Sequence, residues 1–321
     1  MHRIMPLPFK PPRLDGLSER LLASHYENNY GGAVRRLNAI ERRLDEMDWG
    51  ATPVFDMNGL KREELIAANS AILHEIYFDG LGGTGDAKGE LAAALERDFG
   101  SVAGWRSKFS ACAKAQAGGS GWTLLVWSER HERLMIQWGQ DHTNCLAGSI
   151  PIMALDMYEH AYHIDFGAKA GAYVDAFMKN IHWDRVGQRF ARVVGQHRGA
   201  PASSGSELEV APEDLLGRIQ RHEDIMLLDI CLAEDLPKRG DMLPGATFRP
   251  SEAMADWIDE LPRDKPIVAY CMYGFQVSGD AVVELRRRGL DAHTLSGGIA
   301  AWHAIGGPTV PFIAPAGRTM P

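Results

Sequence analysis

A short polar segment near residue 200 divides this chain into two regions with different sequence patterns. The segment, residues 196–206, reads QHRGAPASSGS, and such small, turn-forming residues are typical of a linker. A chain of 321 residues is also longer than one hydrophobic core usually serves. We therefore predict one domain over 1–195 and a second over 207–321.

The first region begins with helical patterns and then changes character. Apolar residues recur at helical spacing over 17–47 and again over 60–79, which predicts a helical hairpin within 1–84. The remainder, 85–195, combines further helical segments with short apolar runs that suit strands. The predicted fold class of this domain is α+β, and its strand-like runs are 122–127, 134–138 and 150–155.

The second region has a regular alternation of strand-like and helix-like segments. Apolar runs at 225–230, 267–270 and 292–295 are separated by helical patterns such as 278–288. Strands that alternate with helices at this interval are typical of a parallel sheet. We predict an α/β domain.

The overall composition excludes several classes of protein. Hydrophobic residues make up 45% and charged residues 24% of the chain, as in globular proteins. No apolar run approaches the roughly 20 residues of a membrane helix, and residues 1–12 lack the apolar core of a signal peptide. A formal net charge of -8 argues against nucleic-acid binding. We expect a cytoplasmic protein without membrane or nucleic-acid partners, and reduced thiols at Cys112, Cys145, Cys231 and Cys271.

Three histidines and one aspartate form a candidate metal site. Asp156 and His160 follow directly after an apolar strand, where a rigid backbone can fix ligand geometry. His25 and His74 lie one on each predicted hairpin helix, so antiparallel packing can bring both to one end of a shared core. Three imidazoles and a carboxylate suit iron or manganese, and the same set accepts zinc.

Five segments resemble the iron/manganese superoxide dismutase family in order and spacing: SHYENNYGGAVRRLN, ILHEIYF, GGSGWTLLVW, LDMYEHAYHIDF and IHWDRV. The resemblance covers about residues 5–195. It implies superoxide as the substrate, one manganese or iron ion per chain, and assembly into a homodimer or a higher oligomer. The metal ligands that it implies are His25, His74, Asp156 and His160.

The resemblance also implies roles for residues around the metal. Gln140 matches a glutamine that hydrogen-bonds the metal-bound water in manganese-type members, whereas the iron-type position of that glutamine is Ser70. A hydrogen-bond donor to the metal-bound water tunes the metal's reduction potential. Because the glutamine stands at the manganese-type position, manganese is the expected metal. Trp122 matches a tryptophan that walls the site, and Glu159 matches a residue that crosses the dimer interface to the partner's metal-ligating histidine.

Several positions depart from the family pattern. The gateway tyrosine falls at Ala33, its neighbouring histidine at Asn29, and an interface tyrosine at His163. Tyr158 replaces a tryptophan after the aspartate ligand, and Lys169 is left as a candidate positive charge for the substrate funnel. Because dismutation consumes protons, these changes are expected to slow proton-limited turnover or to change product inhibition, and they need not abolish metal binding.

Cys271 is a candidate nucleophile in the second region. It follows the run 267–270 and begins CMYGFQVS, directly before a helical pattern, so backbone N–H groups and the helix dipole can stabilise a thiolate or a persulfide. The segments LLDIC, GDMLPGA, YCMYGFQ and LSGGIAAW resemble rhodanese domains over about residues 207–312.

That second resemblance implies that Cys271 carries sulfane sulfur. Arginines that rhodaneses often have are absent at Met272, Gln276 and Cys231, so a persulfide donor or acceptor is a better expected partner than thiosulfate. The other residues that the resemblance assigns to the site are the loop residues Met272, Tyr273, Gly274, Phe275 and Gln276, together with Asp229 in the earlier strand-like run 225–230.

Three functions are compatible with these observations. The first is a superoxide dismutase with an appended sulfurtransferase domain. The second is a metal-dependent oxidoreductase, or a protein that handles persulfides, on a dismutase scaffold with altered proton delivery. The third is a non-enzymatic metal-binding redox sensor. The complete ligand set and Gln140 favour the first, whereas Ala33 keeps the second open.

Overall fold

The computed structural model describes residues 1–197 and 208–312, with side chains from 1–195 and 208–312. Within these ranges the chain forms two compact units, one from 1–2 and 8–197 and the other from 3–7 and 208–312. Most of the expected linker, 198–206, lies outside the described residues, while 196 and 197 still belong to a helix. The domain boundaries at 195 and 207 therefore stay predictions.

A short N-terminal segment groups with the second unit, which the sequence patterns did not predict. Arg3 makes a bidentate ion pair with Asp214 at 2.8 and 2.9 Å, and the Ile4 N–H donates to Glu213 Oε1 at 2.8 Å. Ile4 and Leu7 are buried. These long-range contacts, and not local periodicity, decide where the segment lies.

The helical hairpin expected at the start of the first unit is confirmed. Its first arm consists of α1 (Glu19–Ser24), a π-helical turn (His25–Tyr30) and α2 (Gly31–Asp45), and its second arm is α3 (Val54–Asp79). The Ser18 hydroxyl caps α1 by accepting from the Leu21 N–H at 3.1 Å. The arms pack through a buried apolar seam of Leu37, Ile40, Leu44 and Ala67.

A three-stranded antiparallel sheet forms the other part of the first unit. Its strands are β1 (Trp122–Ser128), β2 (Arg133–Gly139) and β3 (Ser149–Asp156), in the order β2-β1-β3. Trp122 is paired with Asp156, so the start of β1 and the end of β3 are adjacent. The helices of this part are α4 (Gly89–Phe99), α5 (Val102–Ala115), α6 (His163–Phe166), α7 (Ala170–Lys179) and α8 (Trp183–His197).

The second unit contains the expected parallel sheet. Five strands, β4 (Glu209–Val210), β9 (Ala292–Leu295), β8 (Ile267–Tyr270), β5 (Met226–Asp229) and β7 (Thr247–Phe248), lie in that order and pair in parallel. A separate antiparallel pair joins β6 (Asp241–Met242) to β10 (Val310–Pro311). The helices are α9 (Pro212–Gln220), α10 (Leu236–Arg239), α11 (Met254–Trp257), α12 (Gln276–Arg287) and α13 (Gly298–Ala304). The architecture is consistent with a rhodanese-like domain, and that assignment stays a proposal.

None of the helices in the described ranges has both the length and the apolar character needed to cross a membrane. The cytoplasmic location stays a prediction.

Candidate metal centre

The four side chains singled out in the sequence meet at one point of the first unit. One ligand atom from each of His25, His74, Asp156 and His160 lies within 4.8 Å of the others. The Nε2 atoms of His25, His160 and His74 lie 3.0, 3.1 and 3.4 Å from Asp156 Oδ2. Three imidazole nitrogens therefore converge on a single carboxylate oxygen.

Each of these side chains is held by a defined backbone element. His25 opens the π-helical turn, a feature that often re-aims side chains at functional sites. His74 belongs to α3, Asp156 ends β3, and His160 lies in a 3₁₀ turn at Glu159–Ala161. The Tyr158 N–H donates to Asp156 Oδ1 at 2.8 Å, which leaves the other carboxylate oxygen facing the imidazoles.

The tautomer of His74 shows that the cluster fits a cation. His74 Nδ1 donates to the Ser70 carbonyl at 2.6 Å, so the lone pair of the neutral ring is on Nε2. This buried Nε2 has no hydrogen-bond partner among the described residues and faces Asp156 Oδ2. A lone pair directed at a carboxylate oxygen is repulsive unless a cation lies between the two atoms.

The spacing agrees with this interpretation. Metal bonds of about 2.0–2.2 Å to nitrogen and oxygen place two ligand atoms roughly 2.8–3.8 Å apart for angles of about 90–120°. The observed separations of 3.0, 3.1 and 3.4 Å lie within that interval. The donor set of imidazoles and one carboxylate is chemically suited to iron or manganese.

Burial sets the protonation states that a metal requires. Burial lowers the pKa of His25 against the opposing effect of Asp156, and burial together with the charge of His25 lowers the pKa of His74 to about 3. Burial raises the pKa of Asp156, but the charge of His160 and hydrogen bonds from His160 and His25 outweigh it and hold that pKa well below its usual range. At neutral pH the cluster thus combines neutral imidazoles on His25 and His74 with an ionised carboxylate.

Aromatic rings enclose the cluster on one side. Trp122 is fully buried, and its ring meets that of His74 edge-on at 5.2 Å. Tyr158 stacks on His160 at 5.4 Å and on His142 at 4.8 Å. Trp122, which was expected to wall the site, and Tyr158, which replaces a tryptophan after the aspartate ligand, both adjoin the cluster.

The structure places Gln140 differently from the expectation. Its side chain is exposed just beyond β2, and its N–H donates to Asn144 Oδ1 at 3.1 Å. His142 comes to the cluster instead, because the turn after β2 folds back and the Asn69 side chain anchors the His142 carbonyl at 2.6 Å. Sequence reasoning missed His142, and the only available signal was a second polar side chain two residues after Gln140.

Trp122 determines the tautomer of His142. The indole N–H donates to His142 Nδ1 at 2.9 Å, so a neutral His142 ring carries its proton on Nε2. Burial, more than any neighbouring charge, lowers the pKa of His142. His142 is therefore a neutral hydrogen-bond donor beside the cluster.

Comparison with known sequences agrees with this geometry. Residues 87–189 match the family described as iron/manganese superoxide dismutases, C-terminal domain. An iron superoxide dismutase of Cupriavidus metallidurans is 60% identical over 194 residues, which are 60% of this chain and 98% of that protein. The chain belongs to the iron/manganese superoxide dismutase family.

More distant relatives include both metals. An iron superoxide dismutase of Aquifex aeolicus is 34% identical over 60% of this chain and 94% of its own length. A manganese superoxide dismutase of Haloarcula marismortui is 31% identical over 59% of this chain and 93% of its own length. Since the relative at 60% identity is named for iron, the preference for manganese that Gln140 suggested is not supported.

A cavity of about 170 Å³ leads to the dismutase-type cluster. Ala33 and Asn29, the positions of the missing gateway side chains, line it together with Ser70. The other lining residues are Asn28, Gly32, Arg36, Ile66, Ala67, His74, His142 and His160. The small side chains at positions 32 and 33 leave this route open.

Three further predicted residues lie outside the cluster in this chain. Glu159, His163 and Lys169 are all exposed, and none of them lines the cavity. The role of Glu159 and His163 at a dimer interface stays a prediction. Lys169, the candidate positive charge of the substrate funnel, does not line the cavity of its own chain.

In the second unit, Cys271 lies in the expected strand-loop-helix position. It follows β8, its side chain is buried, and its Sγ lies 3.3 Å from Ser278 Oγ on α12. The loop is held against α13, because the Ile299 and Ala300 N–H groups donate to the carbonyls of Cys271 and Met272 at 3.0 Å each. The remaining loop residues are Tyr273, Gly274, Phe275 and Gln276, of which Gln276 is exposed and begins α12.

Asp229 forms a buried ion pair in this unit. It ends β5 and pairs with Arg239, whose side chain is 4% exposed. Cys231 lies in the same buried cluster as Cys271, and burial followed by the charge of Asp229 raises the pKa of the Cys231 thiol far above its ordinary value. Cys231 is therefore a protonated core thiol near neutral pH.

Proposed function

We propose that the first unit is a superoxide dismutase whose single iron or manganese ion is bound by His25, His74, Asp156 and His160. The overall reaction converts two superoxide anions and two protons into dioxygen and hydrogen peroxide. When bound, the redox metal supplies the one-electron exchange between the two superoxide anions. The observation that carries the proposal is the convergence of three imidazole Nε2 atoms on Asp156 Oδ2.

The residues around the cluster orient a hydrogen-bond donor and exclude water from the metal site. Trp122 shields the cluster from water and fixes the proton of His142 on Nε2. His142 borders the cavity, so this N–H is available to a water molecule or a small anion held there. His142 thereby takes the place that the sequence assigned to Gln140.

We infer iron as the resident metal. The manganese preference rested on Gln140, whose side chain is exposed, whereas the relative at 60% identity is named for iron. Elemental analysis of protein purified without added metal tests this choice. A manganese content above the iron content would reverse it.

One experiment tests the proposed reaction directly. Metal-loaded full chain should accelerate superoxide decay, and His160→Ala should lose both the metal and the activity. His131→Ala is the matched control, because His131 is an exposed histidine of the same unit outside the cluster. Full metal occupancy without superoxide turnover would favour the alternative oxidoreductase or sensor functions.

The proposed assembly is a homodimer or a larger oligomer, with Glu159 of one chain reaching the metal-ligating His160 of another. Exposure of Glu159 and His163 is compatible with such an interface. Sedimentation of the wild type and of Glu159→Ala tests it, and an unchanged monomer in both samples would contradict it.

A second activity, sulfur transfer by a rhodanese-like domain, is proposed for the second unit. The observation that favours it is the placement of Cys271 in a loop between β8 and α12 with the Ser278 hydroxyl 3.3 Å from its sulfur. Attack of the Cys271 thiolate on a donor persulfide would form Cys271–S–SH and release the donor as a thiolate, which balances atoms and charge. Neutral side chains at Met272 and Gln276 make thiosulfate a poor donor.

Mass spectrometry after treatment with a small-molecule persulfide tests sulfur transfer. Addition of one sulfur atom to the wild type and to Cys112→Ser, and no addition to Cys271→Ser, is the expected pattern. Sulfur addition that persists in Cys271→Ser would place the nucleophile elsewhere.

A further inference from the structure

Superoxide is an anion, and the overall charge of this chain opposes its approach. The formal net charge is -8, so long-range attraction cannot come from the protein as a whole. A positive charge at the mouth of the cavity is needed to raise the local concentration of the anion. The residue anticipated for that purpose, Lys169, does not line the cavity.

Arg36 provides a positive charge at the mouth of the cavity. It lies on α2 one turn after Gly32 and Ala33, so all three share one helix face, and all three line the cavity. Among the cavity-lining residues in the described part of the chain, Arg36 has the only permanently charged cationic side chain. Its side chain is 58% exposed, which keeps the guanidinium in contact with solvent at the entrance.

The charges near Arg36 leave it able to attract an anion. Glu63 is the nearby acid, and it lies 3.9 Å both from Arg36 and from Arg62. Because Glu63 is shared by two guanidinium groups, it offsets the positive charge of Arg36 only in part. A second acid, Asp141, keeps its negative charge while it accepts hydrogen bonds from Thr143 N and Oγ1 at 2.6 Å each, but it does not line the cavity.

Arg36 lines the same cavity as the reacting end of the site. His142 lines the same cavity as the candidate ligands His74 and His160. The guanidinium of Arg36 therefore acts on an anion that enters this cavity toward the candidate ligands.

We propose that Arg36 is the residue that draws superoxide into the site of this chain. This inference rests on the proposed dismutase function and adds the source of substrate attraction. The positive charge that attracts the substrate then lies on the hairpin helix α2 and not at Lys169, the residue expected from the sequence.

Four variants of the full chain test the inference: Arg36→Gln, Arg36→Lys, Arg36→Glu and the control Arg43→Gln. Arg43 is exposed on the same helix and does not line the cavity, so its replacement removes an equal charge elsewhere. Pulse radiolysis should show the second-order rate of superoxide decay reduced about three- to tenfold in Arg36→Gln and further in Arg36→Glu. Arg36→Lys and Arg43→Gln should stay near the wild-type rate.

Ionic strength and an anion probe supply independent measurements. The wild-type rate should fall as salt increases, whereas the rate of Arg36→Gln should respond weakly. Azide affinity of the iron-loaded proteins, measured by absorbance, should weaken in Arg36→Gln by a factor similar to the rate change. The inference would be overturned if Arg36→Gln had the same rate, salt response and azide affinity as Arg43→Gln. Failure of the wild-type protein to accelerate superoxide decay would overturn the proposed function instead, and the azide comparison would still report on Arg36.

Discussion

The indole N–H of Trp122 donates a 2.9 Å hydrogen bond to Nδ1 of His142. This contact joins the first residue of β1 to the turn after β2, and it leaves Nε2 as the donor of the neutral His142 ring, in a residue that lines the cavity. Because an outer-shell donor tunes the ligands and the bound water of a metal centre, His142 is a sensitive point of the site.

Replacement of His142 by Leu should lower superoxide turnover while the metal stays bound. The loss is expected to be about 10- to 100-fold, as for other outer-shell partners of metal centres. Gln140→Leu is the matched control, and its turnover should be close to wild type because the Gln140 side chain is exposed. Turnover and metal content measured on the same samples check this. A large loss in Gln140→Leu with none in His142→Leu would restore the original role of Gln140.

Metal removal should destabilise the first unit. A ligand at a thousand times its Kd stabilises the folded state by about 4 kcal/mol, or roughly 10 °C in the Tm of a domain of about 200 residues. Differential scanning calorimetry with and without iron or manganese measures this shift. His74→Ala should abolish it and His131→Ala should retain it. An equal shift in His74→Ala would remove His74 from the ligand set.

Gly274→Ala should disrupt the loop that follows Cys271. Gly274 has a φ of +72°, and a Cβ atom there would lie 2.7 Å from the N atoms of Gly297 and Gly298. The expected cost is about 1–3 kcal/mol of unfolding free energy, together with loss of persulfide formation. Urea titration and mass spectrometry provide the two measurements.

Gly279→Ala is the control for that variant. Gly279 lies within α12, where a Cβ atom would enter open space, so the change should be neutral or stabilising by up to about 1 kcal/mol. Equal stabilities of the two variants would show that the backbone at Gly274 is not constrained.

Cys231 should react slowly with alkylating reagents. Burial and then the charge of Asp229 raise its pKa, so the thiol stays protonated at pH 8 and exposes no thiolate. Iodoacetamide followed by peptide mass spectrometry should show early modification of the exposed Cys145 and late modification of Cys231. Cys231→Ser should leave the yield of persulfide at Cys271 unchanged. A persulfide that accumulates in this variant, where the wild type instead forms a Cys231–Cys271 disulfide and releases hydrosulfide, would identify Cys231 as a resolving thiol.

Much of the fold could be predicted because it depends on local periodicity. The hairpin was predicted from apolar residues at helical spacing, and its arms do pack through Leu37, Ile40 and Leu44. The parallel sheet of the second unit followed from the alternation of apolar runs with helical patterns, and β5, β8 and β9 coincide with three of those runs. The π-helical turn at His25 could not be predicted, since its backbone departs from the period of 3.6 residues on which such patterns depend.

The candidate ligands could be suggested from the sequence because three of them fall on or beside periodic patterns. Asp156 follows an apolar run, and His25 and His74 fall within helical patterns, so their chemical types and positions were enough to suggest a shared site. The positions of His142 and Arg36 could not be predicted in this way. His142 is placed by an irregular turn and a hydrogen bond from Trp122, and Arg36 by the cavity that the packed hairpin and sheet leave open.

By itself, the sequence determined the periodic elements and the set of groups able to bind a redox metal, because these depend on residue type and short-range spacing. Only the tertiary structure decided which polar residue after β2 reaches the site, which cation faces the cavity, and that residues 3–7 group with the second unit. These outcomes depend on contacts between residues far apart in the chain, such as Arg3 with Asp214, whose geometry exists only after the elements have packed.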